Sequence, residues 1–97
     1  MIILGIQILD AFVEKHADSH KAIQDWIKKV ENADWKSHAA LKKDFPSVDY
    51  VKNGRYVFNI RGNKYRLIVV VVFVVGQLIV RFVGTHAEYN KINAESV

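Results

Sequence analysis

Leu67 to Val75 is an unbroken apolar run of nine residues, dominated by valine and closed by Gly76. A membrane-spanning helix needs about 20 such residues, and Gly76, Gln77 and Arg81 interrupt any extension. β-Branched residues at this density suit a pleated surface, so the run predicts a buried strand. The rest of the chain must supply that strand with neighbours and cover.

The neighbours lie on both sides of it. Arg55 to Arg61 alternates apolar and polar residues between Asn53-Gly54 and Gly62-Asn63, two turn-forming dipeptides. Lys64 to Val75 and Gln77 to Gly84 then read as two strands joined around Gly76-Gln77. The cover comes from the N-terminal half. After a short strand, Met1 to Leu4, the apolar spacing becomes helical. Ile8, Leu9, Phe12 and Val13 line one helix; Ala22, Ile23, Trp26, Ile27 and Val30 line a second, from about Asp18 to Val30. Asp18 or Ser19 is the expected N-cap between them. A helical turn, His38 to Asp44, is stopped by Pro46, and Thr85 can cap a last helix from Ala87 to about Asn93. Strand, two helices, three-strand antiparallel meander and short C-terminal helix make one α+β domain over residues 1–97.

The last hairpin carries a geometric expectation. With a two-residue loop, paired positions sum to an odd number, which places Arg66 and Arg81 on the same face of the sheet. A change of one residue in the loop would separate them.

Charge is segregated along the chain. Residues 1–49 carry seven lysines against eight acids, whereas residues 50–87 carry Lys52, Arg55, Arg61, Lys64, Arg66 and Arg81 and no acid. All four arginines lie in that stretch, and RNA phosphate is its simplest complement; ordinary solvated strand charge is the alternative. There is no cysteine, which removes disulfides and thiolate metal sites and fits a reducing cytoplasm. The apolar start lacks the basic residues and cleavage site of a signal peptide.

No phosphate-cradling glycine loop or nucleophile signature is present. His16 and His20 are four apart, as in zinc sites, but Ala17 follows His16 and no third ligand is evident. The stronger constellation joins Gly62-Asn-Lys-Tyr-Arg66 to Arg81-Phe-Val-Gly-Thr-His-Ala-Glu-Tyr89. Metal-free RNA cleavage needs a base for the 2′-hydroxyl, an acid for the 5′ leaving oxygen, and cations on the phosphate. His86 is the only histidine in the basic stretch. Arg66 and Arg81 could grip a phosphate, and Tyr89 could stack on a base or move a proton. The plainer alternatives are a structural hydrogen-bonding histidine and arginines whose stems cover apolar surface.

The string Tyr56-Val-Phe-Asn-Ile-Arg-Gly-Asn-Lys-Tyr-Arg-Leu67, with Arg81 to Tyr89, Asp34-Trp35-Lys36 and Phe45-Pro46-Ser47, resembles the HigB toxin family. The resemblance spans nearly the whole chain. It implies a RelE-like fold and a type II toxin–antitoxin toxin that cleaves mRNA, typically on the ribosome. It also implies neutralisation by a helix-turn-helix antitoxin of the HigA type, with no cofactor or metal. It puts catalytic roles on Arg66, Arg81, His86 and Tyr89 and RNA contacts on Asn63 and Lys64, to which the basic stretch adds Arg61. The chain departs from the family pattern at Gly5-Ile6-Gln7, where relatives carry basic residues, and at Asn90 and Asn93, where Asp is common. These departures leave a competing reading, a toxin-like module that binds RNA, ribosome or antitoxin without cutting.

Overall fold

The computed structural model describes all residues, 1–97. Strand β1 (Ile2–Leu4) leads into helix α1 (Ile6–Lys15), and a 3-10 turn (Ala17–Ser19) connects it to α2 (His20–Glu31). Helix α3 (His38–Asp44) follows, then strands β2 (Asp49–Tyr50), β3 (Arg55–Ile60), β4 (Tyr65–Val72) and β5 (Gln77–Thr85), and finally α4 (His86–Tyr89). The α+β class and the meander are as the residue pattern predicts. No helix is long and apolar enough to cross a membrane.

The sheet order is β1-β5-β4-β3-β2, with β1 parallel to β5 and the other pairs antiparallel. The valine-rich strand sits in the middle, where neighbours on both sides satisfy its backbone. Two strand pairings were not legible in the pattern: β1 closes one edge against β5, and the two-residue β2 pads the other.

One face of the sheet packs on the helices. Tyr56, Phe58, Ile60, Tyr65, Leu67, Val69, Val71, Leu78 and Val80 meet Leu9, Phe12, Ile23, Trp26, Val30, Trp35 and Leu41 in one core. Trp26 stands edge-on to Phe58 at 5.4 Å, and Trp35 edge-on to Phe45 at 5.7 Å. Such aromatic pairs add attraction beyond their buried area. Gly5 lets α1 approach β5: its φ is +90°, and a Cβ there would lie 3.0 Å from the Val80 carbonyl oxygen.

The last hairpin differs from the expected two-residue loop. Phe73–Val75 winds into a 3-10 turn and Gly76, at φ +67°, completes a four-residue connection from Val72 to Gln77. Near the loop the paired numbers still sum to an odd total, as in Val70↔Ile79. A β-bulge between Ile68 and Val69 then shifts the register to Ile68↔Phe82, with Arg81 as the extra residue. The core-facing positions of β5 accordingly move from Leu78 and Val80 to Val83. Arg66 and Arg81 therefore share the face away from the helices, by an even change of loop length plus a bulge.

Three local expectations are refined. Ser19 holds the N-cap position of α2, as expected, but makes no side-chain capping bond: its Oγ donates to the His16 carbonyl, and the Asp18 carboxylate is taken by β3–β4 residues. The Thr85 cap is present, but α4 is only four residues long, because a turn at Asn90 ends it before Asn93. His16 ends α1 and His20 begins α2, with the 3-10 turn between them, so they do not form one i, i+4 helical face.

Candidate active site

The chemistry gathers at the end of the sheet where β4 begins and β5 finishes. There α4 is fixed by a capping box: Glu88 N–H donates to Thr85 Oγ1 at 3.2 Å and Thr85 N–H donates to the Glu88 carboxylate at 2.8 Å. The Thr85 N–H, helped by the Thr85 hydroxyl and the nearby His16 and Lys15, holds the Glu88 carboxyl below its usual range. The box sets the first and last residues of the helix, His86 and Tyr89.

On the helix side of this end lies a cleft of about 610 Å³ lined by Lys15, His16, Asp18, Lys64, Tyr65 and His86. Asp18 is its hub. Its carboxylate accepts from Lys64 Nζ at 2.5 Å, Tyr65 Oη at 2.6 Å and an Arg61 terminal nitrogen at 2.7 Å. The arrangement pulls residue 18 onto the β3–β4 turn, where Arg61 takes a left-handed backbone, φ 52°. His16 stacks on Phe12 with ring centroids 4.4 Å apart.

The Lys64 and Tyr65 hydrogen bonds lower the Asp18 carboxyl to about 2 from the usual 3.8, and the same carboxylate raises Lys64 and Tyr65 above their ordinary values. An acid whose folded pKa is depressed stabilises the fold fully above its unfolded pKa and loses that contribution as pH falls through the folded value. The expected result is a wild-type stability decline between about pH 4 and about pH 2 that is shallower in Asp18→Asn, which keeps only the share from the depressed Glu88 carboxyl. Urea midpoints across that range read it, and parallel declines for both proteins would contradict it. At the alkaline end the sign reverses. The Lys64 share is present below pH 10.5 and lost above it.

On the opposite, open face, Arg66 lies over the Tyr89 ring, 5.0 Å from its centroid, and its Nε is buried without a hydrogen-bond partner. Arg61 donates to Asp18, and Arg55 and Arg81 donate to the Val97 main-chain oxygen. Arg66 is thus the one arginine of the four with no bonded acceptor. It is oriented by an aromatic face and its donors are unspent.

The expected site residues fall into three groups. Arg66 and Tyr89 stack together on the open face. Lys64 and His86 line the helix-side cleft, with Arg61 beside Lys64 on Asp18 and Asn63 exposed in the adjoining turn. Arg81 stands apart, three residues along β5 from the Arg66↔Gly84 pair, roughly 10 Å. By helical spacing residues 15–18 are a helix boundary, yet Lys15, His16 and Asp18 line the same cleft as His86. Only the loop's position relative to the sheet could have shown it.

A second cavity, about 470 Å³, lies among His38, Tyr50, Gly54, Tyr56 and Phe73. His38 Nδ1 and the Tyr56 hydroxyl share a 2.9 Å hydrogen bond there, but no lysine or arginine lines it to hold a phosphate.

The family profile of HigB toxins, the RelE-like toxic components of toxin–antitoxin systems, matches residues 19–92. The chain belongs to the HigB toxin family. Among relatives, it is 28% identical over 80 residues to an mRNA interferase HigB of Escherichia coli O6:H1, covering 80% of this chain and 78% of that protein. It is 39% identical over 62 residues to the mRNA interferase toxin HigB of Escherichia coli K12, and equally to one of Shigella flexneri, covering 62% of this chain and 60% of each relative. Family membership agrees with the resemblance carried by the Tyr56–Leu67 and Arg81–Tyr89 strings and makes the chain the toxin side of such a system.

Proposed function

We propose that this toxin is a metal-independent endoribonuclease of a type II toxin–antitoxin pair. It cuts mRNA in the cytoplasm, on the ribosome, and a helix-turn-helix antitoxin of the HigA type silences it. The observation that carries the cleavage reading is Arg66: a half-buried guanidinium held over Tyr89, whose terminal nitrogens have no bonded acceptor, is a preorganised receptor for phosphate charge. Helix α4 lies at the end of the sheet with Tyr89 against Arg66 and His86 in the cleft, so His86 supplies proton transfer to a phosphate that passes over this end. The 2′-oxygen attacks phosphorus as its proton leaves to a base, the P–O5′ bond breaks, and the departing oxygen takes a proton. Arg66 holds the equatorial oxygens while charge builds. Lys64, Arg61 and Asn63 at the neighbouring turn contact flanking nucleotides, and Arg81 contacts the chain farther along the open face.

The edge of the sheet supports burial by an antitoxin. Ile2 and Leu4 on β1 are 60% and 42% exposed, and Val74 at the adjoining hairpin tip is 96% exposed. Apolar side chains beside an unpaired strand edge are a surface that partners cover.

Primer extension across a reporter transcript after induction in a bacterial host tests the reading. New 5′ ends and growth arrest are expected, both suppressed by co-expressed antitoxin. Intact transcripts with soluble, folded protein would leave a binding module that no longer cuts.

A further inference from the structure

We infer that Arg55 and Arg81 form a binding site for a backbone phosphate of single-stranded RNA, which the Asn93–Val97 segment occupies as an internal competitor. The site rests on RNA being the substrate, but it lies apart from the Arg66–Tyr89 pair and from the cleft around His86.

The two arginines come from β3 and β5, on either side of β4. In the sheet Arg55 faces Val70, and Val70 faces Ile79, two residues before Arg81. The backbones are therefore two strand spacings apart, roughly 10 Å, yet both guanidiniums reach one atom. Arg55 donates to the Val97 main-chain oxygen from Nε at 3.1 Å and from a terminal nitrogen at 3.0 Å, and Arg81 donates to the same oxygen from Nε at 3.3 Å. Arg55 thus presents a two-donor fork and Arg81 closes it from the other side, the geometry that suits an oxyanion. The bulge at Ile68/Val69 makes Arg81 the extra residue of β5 on the open face; bulges re-aim side chains in this way.

Charge points to an anion. Neither Arg55 nor Arg81 takes part in any of the four ion pairs of the molecule, which use Lys21, Lys36, Arg61 and Lys64. Two cations converge with no aspartate or glutamate side chain between them; the one oxygen they share is that of Val97, the last residue of the sequence. The segment that fills the site is lightly held. Its other tie to the sheet is Asn53 Nδ2 donating to the Glu95 carbonyl at 3.3 Å. It is curled by a turn in which Glu95 N–H donates to Asn93 Oδ1, and Ser96 and Val97 N–H groups donate to the Asn93 carbonyl. No residue from Asn90 to Val97 is buried. A phosphate can displace such a strap by offering charge-assisted bonds to the same donors.

The competing account is a structural one: the strap helps shield Val57 and Ile68, which are buried although they lie on the open face. Fluorescence anisotropy with a labelled 2′-O-methyl RNA hexamer, which cannot undergo 2′-oxygen attack, separates the two. The full chain is compared with Asn93→Ala, which loses the Oδ1 acceptor of the turn, and with a chain stopped after Ile92. Both variants should bind about tenfold tighter, with a salt slope steeper by about 0.7 for one added phosphate contact. Arg55→Ala, introduced into either variant, should abolish the gain. Unchanged affinity in Asn93→Ala, with amide exchange showing the segment released, overturns the site even if the shortened chain fails to fold. So does a gain that survives Arg55→Ala. Absence of binding by every form overturns the RNA reading itself, whereas binding by every form that is indifferent to Arg55 overturns only this site.

Discussion

Arg66→Ala lowers mRNA cleavage by about two to three orders of magnitude, the loss typical when one preorganised oxyanion donor is removed, without a matching loss of stability. The asymmetry follows from the environment of the side chain. In the wild type, Arg66 Nε is buried with no acceptor. A buried donor without a partner costs about 1–3 kcal/mol, and truncation lifts that penalty. What truncation takes away from the fold is the contact with Tyr89 at 5.0 Å, worth about 0.5–1 kcal/mol at a partly exposed site. The urea midpoint should therefore hold or rise while activity collapses. Arg66→Lys restores little, because an ammonium is a point charge that neither lies flat on Tyr89 nor forks onto two phosphate oxygens. Single-turnover cleavage of a reporter mRNA in a translation extract reads the rate, and chemical denaturation reads the fold. A destabilised Arg66→Ala protein that still cuts at the wild-type rate would make Arg66 a structural residue and remove the observation on which the proposed mechanism stands.

Much of this architecture could be read from residue order, for a physical reason. Side-chain period and turn chemistry are local: Tyr56, Phe58 and Ile60 fall at alternate positions because that face meets the helices, with Val57 buried on the other face, and Asn53 and Gly54 adopt the positive φ their dipeptide suggests. The paired strand of Ile2–Leu4 was not legible, because parallel pairing with Gln77–Ile79 joins segments at opposite ends of the chain. The bulge was also hidden. It adds Arg81 to one strand without any glycine or proline to mark it. The site divides in the same way. Arg66, His86 and Tyr89 announce themselves by residue type near strand ends. The stretch from 50 to 87 looked free of acid, yet the fold delivers Asp18 to Arg61 and Lys64 across more than forty residues. That one contact gives two expected RNA contacts a carboxylate partner, and it follows only from where α1 ends relative to the β3–β4 turn. Sequence patterning reports which face a residue occupies. It does not report which distant residue meets it there.

His86→Ala should separate chemistry from binding, and this is the second large effect. His86 opens α4, at the mouth of a cleft it shares with Lys15, His16, Lys64 and Tyr65, while the phosphate-receiving Arg66 lies on the other face against Tyr89. Removing the imidazole takes away a proton-transfer group, typically a loss of about 10²–10⁴ in rate. It removes no cation from the open face, so RNA affinity should stay within about twofold of wild type, a change well under 1 kcal/mol. Arg66→Ala, by contrast, should weaken both. A residual rate above background is expected for His86→Ala because His16 lines the same cleft, and the His16→Ala, His86→Ala double variant should remove it. Thr85 and Glu88 keep their reciprocal hydrogen bonds in either variant, so α4 stays in place and Tyr89 continues to hold Arg66. Cleavage rate and affinity for the uncleavable hexamer, measured on the same preparations, decide the matter. If His86→Ala loses affinity and rate in equal proportion, His86 is a binding residue and the proton must move through another group of the cleft, with Lys64 and Tyr65, both drawn to Asp18, next in line.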